Sequence, residues 1–173
     1  MKKVIFVDRD GVINKEKNYL YKIEDFEFVE GTFLACKKLN QLGFDIIIVT
    51  NQSGIARGYY TVKDYEILTD WMKQQFSENE IKILDVFYCP HKEEDLCGCR
   101  KPKPGMIMEA TKKYNVDLTQ SWLIGDNERD IEAGIRSGIK NLILLRSGHV
   151  IDEKKTMATY IMDSIKNVTE VIK

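Results

Sequence analysis

Proline is scarce in this 173-residue chain: there are three, and all lie between positions 90 and 104. No Ser/Gly-rich linker, low-complexity tract or internal repeat divides the sequence. One domain over residues 1–173 is therefore expected, large enough to bury roughly 70% of its unfolded surface. Charge of one sign is also lacking. Lys and Arg total 26 against 27 Asp and Glu, a net charge of -1, which gives no general pull toward nucleic acid or an anionic membrane. Any anion site should be local. No apolar run approaches the ~20 residues of a membrane span. The opening "MKKVIFVDRDG" is basic and then apolar, but Asp8 and Asp10 interrupt it too early for a signal peptide. The expected location is the cytoplasm, where thiols stay reduced and clustered cysteines favour metal over disulfide.

What the sequence does have is a recurring unit, a short apolar run followed by a helical pattern. The runs are "VIFVD" (4–8), "FDIIIVT" (44–50), "LDVFYC" (84–89), "SWLIGD" (121–126) and "NLILL" (141–145). They are continuous rather than alternating, as in strands covered on both faces. Between them, Ala35, Leu39 and Leu42 share one helical face, Tyr65, Leu68, Met72 and Phe76 another, and Ile131, Ile135 and Ile139 a third. Thr61 with Asp64 is placed to cap a helix, Pro104 to start one, and Gly43 and Gly138 to stop two. This alternation predicts a doubly wound, mostly parallel α/β sheet. The tail from Ile151 to Lys173 should add a short strand and helix.

In such sheets ligands bind beyond the carboxyl ends of the strands. Those ends carry Asp8 with Asp10, Thr50 with Asn51, a cysteine loop running into Lys101, and Asp126. Two carboxylates two residues apart in a dry cleft repel one another unless a cation intervenes, and a few hard oxygen ligands suit Mg²⁺ sharing a phosphate. Asp126 admits a second reading, as cap of a helix starting near Glu128. The loop "TNQSGIARG" can form a backbone nest for an anion with Arg57 beside it, or an ordinary glycine-bearing turn. Lys101 is the cation suited to neutralising a transferring phosphoryl group, with Lys103 a nearby competitor. Together the parts describe phosphoryl chemistry: a carboxylate nucleophile, a second carboxylate for acid-base work, Mg²⁺, and hydroxyl and ammonium stabilisers.

The stretch "YCPHKEEDLCGCRKPKPG" (88–105) holds three of the four cysteines and one of the two histidines. Cys89, His91, Cys97 and Cys99 form a Cys₃His set suited to tetrahedral Zn²⁺, although the C-x-H and C-x-C spacings are tighter than in most zinc fingers. Reduced, merely buried cysteines are the alternative. With four protein ligands no position stays open, so such a metal would be structural, fixing a loop that has little apolar material. Cys36 reads as a small core residue, and His149 has no companions and is given no role.

"DRDGVIN", "VTNQSGIARG", "CRKPKPGM" and "IGDNERDIEAG" resemble the four motifs of the haloacid dehalogenase (HAD) superfamily of phosphatases. Within it the chain is similar to the small branch of heptose-bisphosphate and histidinol-phosphate phosphatases, over nearly its whole length. The resemblance implies a Rossmann-like fold without a cap domain, a zinc-stapled loop, and an aspartyl-phosphate mechanism. Asp8 would attack phosphorus, and Asp10 would protonate the departing sugar oxygen and then activate water. The Asp8 carboxylate, the Asp10 carbonyl and Asp126 would hold Mg²⁺, and Thr50 and Lys101 would stabilise the phosphoryl oxygens. Arg100 would recognise substrate, aided by Asn51, Gln52, Ser53 and the segment Glu16, Lys17, Asn18, Tyr19. Similar cysteine spacing in this branch implies structural Zn²⁺.

The fit of the second and third motifs favours the heptose side. It implies removal of the C7 phosphate of D-glycero-D-manno-heptose 1,7-bisphosphate, for surface-polysaccharide synthesis, by a monomer. Histidinol phosphate is the alternative substrate. A phospho-receiver domain fits less well, because Asp10 and the cysteine loop have no place in one. A DNA 3′-phosphatase would call for a basic face that the net charge does not suggest.

Overall fold

The apolar runs become strands that bury both faces inside the sheet, while the edge run over 83–89 is mostly half-buried. The computed structural model describes residues 1–173. Its strands are β1 (Val4–Val7), β2 (Asp45–Asn51), β3 (Ile83–Cys89), β4 (Trp122–Gly125), β5 (Asn141–Leu145) and β6 (Tyr160–Met162). They form one sheet in the order β3-β2-β1-β4-β5-β6, with every neighbouring pair parallel. Four helices join them: α1 (Thr32–Gln41), α2 (Val62–Glu78), α3 (Gly105–Tyr114) and α4 (Glu128–Ser137). Successive residues of a strand point to opposite faces. Ile5, Val7, Ile46 and Ile48 thus pack on Leu39 of α1 and on Leu68 and Phe76 of α2. Val4, Phe6, Ile47 and Val49 pack on Met106 of α3 and Ile131 of α4.

The helix signals hold with two adjustments. Thr61 and Asp64 make a reciprocal capping box on α2, and Gly138 ends α4 in the left-handed conformation. Pro104 sits one position before α3 rather than inside it. Ile135 was expected beside Ile131 in the core but is 40% exposed. The inward face of α4 is centred on Gly134, whose missing side chain lets the helix close onto Leu142 and Leu123, and this turns Ile135 outward. The tail supplies β6 as expected, but its helix is a 3-10 turn, Ile165–Glu170.

The chain order reverses beside β1: β2 and β3 extend the sheet to one side, and β4, β5 and β6 to the other. The crevice at such a reversal is where open α/β sheets bind ligands. The connection from β1 to α1, residues 8–31, carries a single 3-10 turn, Ile23–Asp25, so no cap domain covers that edge. No helix is long and apolar enough to cross a membrane.

Under α1 and α2, Phe76 is fully buried and meets Phe28 and Phe33 edge to face, at 5.7 and 5.4 Å between ring centroids. Phe76→Ala should cost about 3–5 kcal/mol, the usual penalty for emptying an aromatic site in a core. Urea denaturation checks this, and a loss below about 1 kcal/mol would mean the cluster collapses around the gap.

Candidate active site

β1 is fully buried and ends at Val7, so the next residue, Asp8, stands at the carboxyl edge while remaining only 6% exposed. Lys101, 2% exposed, reaches it from the loop before α3. Its ammonium lies 2.8 Å from Asp8 Oδ1 and 2.7 Å from Asp130 Oδ1, and donates to the Val49 carbonyl at 2.8 Å. All three donors are therefore used. Burial pulls Lys101 down, but Asp130 and Asp8 outweigh it and hold the ammonium above its usual range. Burial pushes the Asp8 carboxyl well up; Lys101 opposes this, while Asp130 and Asp126 add to it.

Asp8, Asp126 and Asp130 form one buried cluster, with carboxylate oxygens within 4.8 Å of one another. Three carboxylates against one ammonium leave an excess of negative charge that a divalent cation would balance. Asp130 is already engaged: Oδ1 faces Lys101, and Oδ2 accepts from the backbone N–H groups of Asp126 and Asn127 at 3.2 and 3.1 Å. Asp8 Oδ1 is likewise taken, by Lys101 and by the Arg9 N–H at 2.8 Å. Asp8 Oδ2 accepts no hydrogen bond, and Asp126 Oδ1 is buried without a partner. Open hard oxygens on two strand ends fit Mg²⁺, which takes few protein ligands and shares the rest of its shell with water or phosphate. Asp126 is not a helix cap. Asn127 does that work, its side chain accepting from the Arg129 N–H at 3.1 Å.

Asp10 points into a different network. Arg9, 1% exposed, grips it in bidentate fashion, through Nη2 at 2.9 Å and Nε at 3.2 Å. Asn14 donates to the same carboxylate at 3.0 Å. Gln52 Nε2 donates to Asp10 Oδ2 at 3.0 Å and to Thr50 Oγ1 at 2.8 Å, and Gln52 Oε1 accepts from Tyr60 at 2.5 Å.

A cavity of about 170 Å³ opens over these groups. Asp8 and Asp10 line it on one side, and Arg57, Arg100 and Arg129 supply cations. Glu16, Tyr19, Asn51, Gln52, Ser53 and Lys101 complete the expected set there. Lys17 and Asn18 do not reach it. Lys17 is drawn off to the Asp25 carbonyl at 2.8 Å, and the backbone is left-handed at Asn18 and Tyr19. Thr50 is buried behind Gln52. Asn51 clamps the Lys101 backbone, donating to its carbonyl at 3.1 Å and accepting its N–H at 3.0 Å. Lys103 is turned away to the Cys97 carbonyl at 2.6 Å.

Cys89, His91, Cys97 and Cys99 also converge. Cys99 Sγ lies 2.9 Å from Cys89 Sγ and 3.5 Å from Cys97 Sγ, and His91 Nδ1 lies 3.3 Å from Cys99 Sγ. The donor set suits a tetrahedral ion with bonds of about 2.0–2.3 Å. Burial raises the Cys97 thiol, but the Arg100 N–H and the Cys99 and Cys89 thiols outweigh it and bring it down to about 6. Arg100 is tied to this cluster by its N–H to Cys97 Sγ at 3.4 Å, and by Nη1 to the His91 carbonyl at 3.4 Å.

Six residues at the site lay outside the sequence reading: Arg9, Asn14, Tyr60, Asp130, Arg129 and His149. His149 was given no role, yet its Nδ1 lies 2.6 Å from Asp126 Oδ2. The rule that located the other groups would have found it, since it follows the carboxyl end of β5.

Lys101→Met would leave Asp8 and Asp130 buried without a counter-charge, and should destabilise the metal-free protein by about 3–5 kcal/mol near neutral pH. The Asp8 carboxyl already holds its proton more tightly folded than unfolded, and losing Lys101 raises it further. Stability therefore falls as pH rises from the unfolded carboxylate range near ~4. The deficit should shrink at lower pH, as urea midpoints at about pH 5 and 7.5 would show. Equal deficits would mean that lost packing, not charge, is responsible.

The HAD-hydrolase-like family model matches residues 98–168. A D-glycero-α-D-manno-heptose-1,7-bisphosphate 7-phosphatase of Photorhabdus laumondii is 51% identical over 87% of this chain and 86% of its own. The β-anomer enzyme of Escherichia coli K12 is 35% identical over 98% of this chain and 93% of its own. Among solved structures, a D,D-heptose 1,7-bisphosphate phosphatase from B. bronchiseptica, complexed with magnesium and phosphate, superposes with a TM-score of 0.86 at 29% identity, covering 97% of this chain and 96% of that one. The likeness spans nearly the whole chain. The chain belongs to the D-glycero-D-manno-heptose-1,7-bisphosphate 7-phosphatase family of HAD-like hydrolases.

Proposed function

We propose that this chain is a Mg²⁺-dependent phosphatase that removes the C7 phosphate of D-glycero-D-manno-heptose 1,7-bisphosphate, in nucleotide-heptose synthesis for surface polysaccharide. It is a phosphoric monoester hydrolase of the HAD type, as are the relatives it matches. The open Oδ2 of Asp8, at the sheet's reversal and facing a cavity with arginines on its wall, is the observation that carries the reading. In this reading it works as a monomer in the cytoplasm.

In this reading the Asp8 carboxylate attacks phosphorus, and the bond from phosphorus to the C7 oxygen breaks. Asp10, protonated for this step and freed from the Arg9 grip, gives its proton to that oxygen, leaving an aspartyl-phosphate and a free sugar hydroxyl. Asp10 then takes a proton from water as the water attacks phosphorus, releasing inorganic phosphate and restoring Asp8. Phosphate monoesters hydrolyse very slowly unaided, so charge neutralisation and positioning must supply most of the acceleration. Lys101, on the cavity wall beside Asp8, serves the phosphoryl oxygens through its charge, and Thr50, behind Gln52, supports the side chain that faces them. Arg9, Asn14 and Gln52 hold Asp10 in one orientation, and Arg100 with Arg57 faces the rest of the substrate. Mg²⁺, held by Asp8, the Asp10 carbonyl and Asp126, supplies Lewis-acid neutralisation of the phosphoryl group. Zn²⁺ on the Cys₃His set is structural and fixes the loop that presents Arg100 and Lys101.

Three measurements bear on this. Asp8→Asn and Asp10→Asn should each abolish turnover of the heptose bisphosphate while the far-UV spectrum stays unchanged, and wild-type kcat/KM should favour it clearly over histidinol phosphate. Wild-type-like turnover in either variant would remove the mechanism; a preference for histidinol phosphate would remove the substrate. Metal analysis should find about one zinc per chain, lost together with activity in Cys97→Ser. A zinc-free, fully active protein would refute the structural zinc.

A further inference from the structure

The loop after β5 reaches back across the sheet edge and closes on Asp126. Ser147 Oγ donates to the Gly11 carbonyl at 2.7 Å, which fastens the loop to the turn after β1. Gly11 and Gly148 both lie so near Asp126 that a Cβ on either would overlap its carboxylate. His149 then addresses a single oxygen twice: its backbone N–H donates to Asp126 Oδ2 at 3.0 Å, and its Nδ1 lies 2.6 Å from the same atom. An ionised carboxylate only accepts, so Nδ1 is the donor. Asp126 is fully buried, and its second oxygen, Oδ1, has no partner at all.

We infer that His149 is a positioning residue for the metal carboxylate. It saturates Oδ2, fixes the plane of the group, and leaves Oδ1 as the one oxygen that Asp126 can offer. This rests on the reading of Asp8 and Asp126 as Mg²⁺ ligands. Mg²⁺ tolerates little departure from octahedral geometry and binds at about 2.0–2.1 Å. A carboxylate free to rotate, or to present both oxygens, would serve it poorly. The surrounding glycines give the loop its close approach, and the imidazole gives the carboxylate its orientation. Partners behind a metal ligand commonly govern affinity in this way.

Calorimetric titration with Mg²⁺ alone tests the inference on wild type, His149→Ala, His149→Leu and His149→Asn. Asparagine carries an N–H donor the same number of bonds from the backbone as Nδ1; alanine and leucine carry none. Alanine and leucine should weaken Mg²⁺ binding by about 10–100-fold, with asparagine within about threefold of wild type. In turnover assays the Mg²⁺ requirement should rise for the first two, while kcat at saturating Mg²⁺ stays near wild type. Wild-type Mg²⁺ affinity in His149→Ala or His149→Leu would overturn the inference, as would asparagine binding as weakly as alanine. A wild-type protein that binds no Mg²⁺ would overturn the metal reading itself, and this inference with it.

Discussion

The carboxyl edge of the sheet is organised around one buried ammonium. Lys101 directs its three donors at Asp8, Asp130 and the Val49 carbonyl, joining groups from the ends of β1 and β2 and from α4. An ammonium this deep is tolerable only when every donor is met and counter-charge is close. The two carboxylates, in turn, could not sit together beside Asp126 without it. The arrangement stops short of neutrality, because Asp126 adds a third negative charge to the cluster. A fully paired set would have no use for a divalent ion, and a set lacking Lys101 would struggle to stay folded. The proposed chemistry needs that intermediate condition, in which Asp8 keeps one oxygen engaged and one open.

Lys101 is itself held from two directions. On one side the Asn51 amide brackets its backbone. On the other, Cys99 is only two residues away, and the cysteine cluster fixes the loop through the Arg100 contacts to Cys97 Sγ and the His91 carbonyl. That loop has almost no core of its own; Leu96 within it is 82% exposed. A metal-ligand cluster can therefore do here what apolar burial cannot. Three thiolates around the proposed Zn²⁺ would leave a net negative charge, which Arg100 with Lys103 beside the cluster would offset. The basic run next to the cysteines thus serves the loop's electrostatics as well as the cavity.

The strands were legible because burial on both faces demands continuous apolar runs, and β5 matches its expected span residue for residue. Asp8 and Asp126 were legible because a charge that stops such a run stands at the sheet edge. Asp130 was hidden by its setting: an acid in the first turn of an amphipathic helix looks like a solvated residue, yet it is 1% exposed. Arg9 was hidden for the same reason, flanked by two acids but buried beneath them. Asn51 and Gln52 were placed correctly but read as substrate ligands, whereas their side chains mostly hold Lys101, Asp10 and Thr50. Side-chain partners across the sheet depend on long-range packing, which local patterning does not encode.

The absence of a cap domain shifts the work of recognition to the two loops that rim the cavity. The loop after β1 and the loop after β2 are joined by aromatic pairs. Tyr19 meets Tyr59 edge to face at 4.8 Å, and Tyr21 stacks on Tyr60 at 5.2 Å. Tyr60 also donates to Gln52, which orients Asp10, so the rim and the acid-base carboxylate share one scaffold. A substrate with a phosphate at each end would place one against Asp8 and leave the other to the arginines. Because both loops are already packed against each other, little conformational freedom would be lost when it binds. Such prior ordering of the reacting groups, together with charge neutralisation, is what a fixed site supplies to a displacement at phosphorus. It lets a small open site position its substrate without a lid.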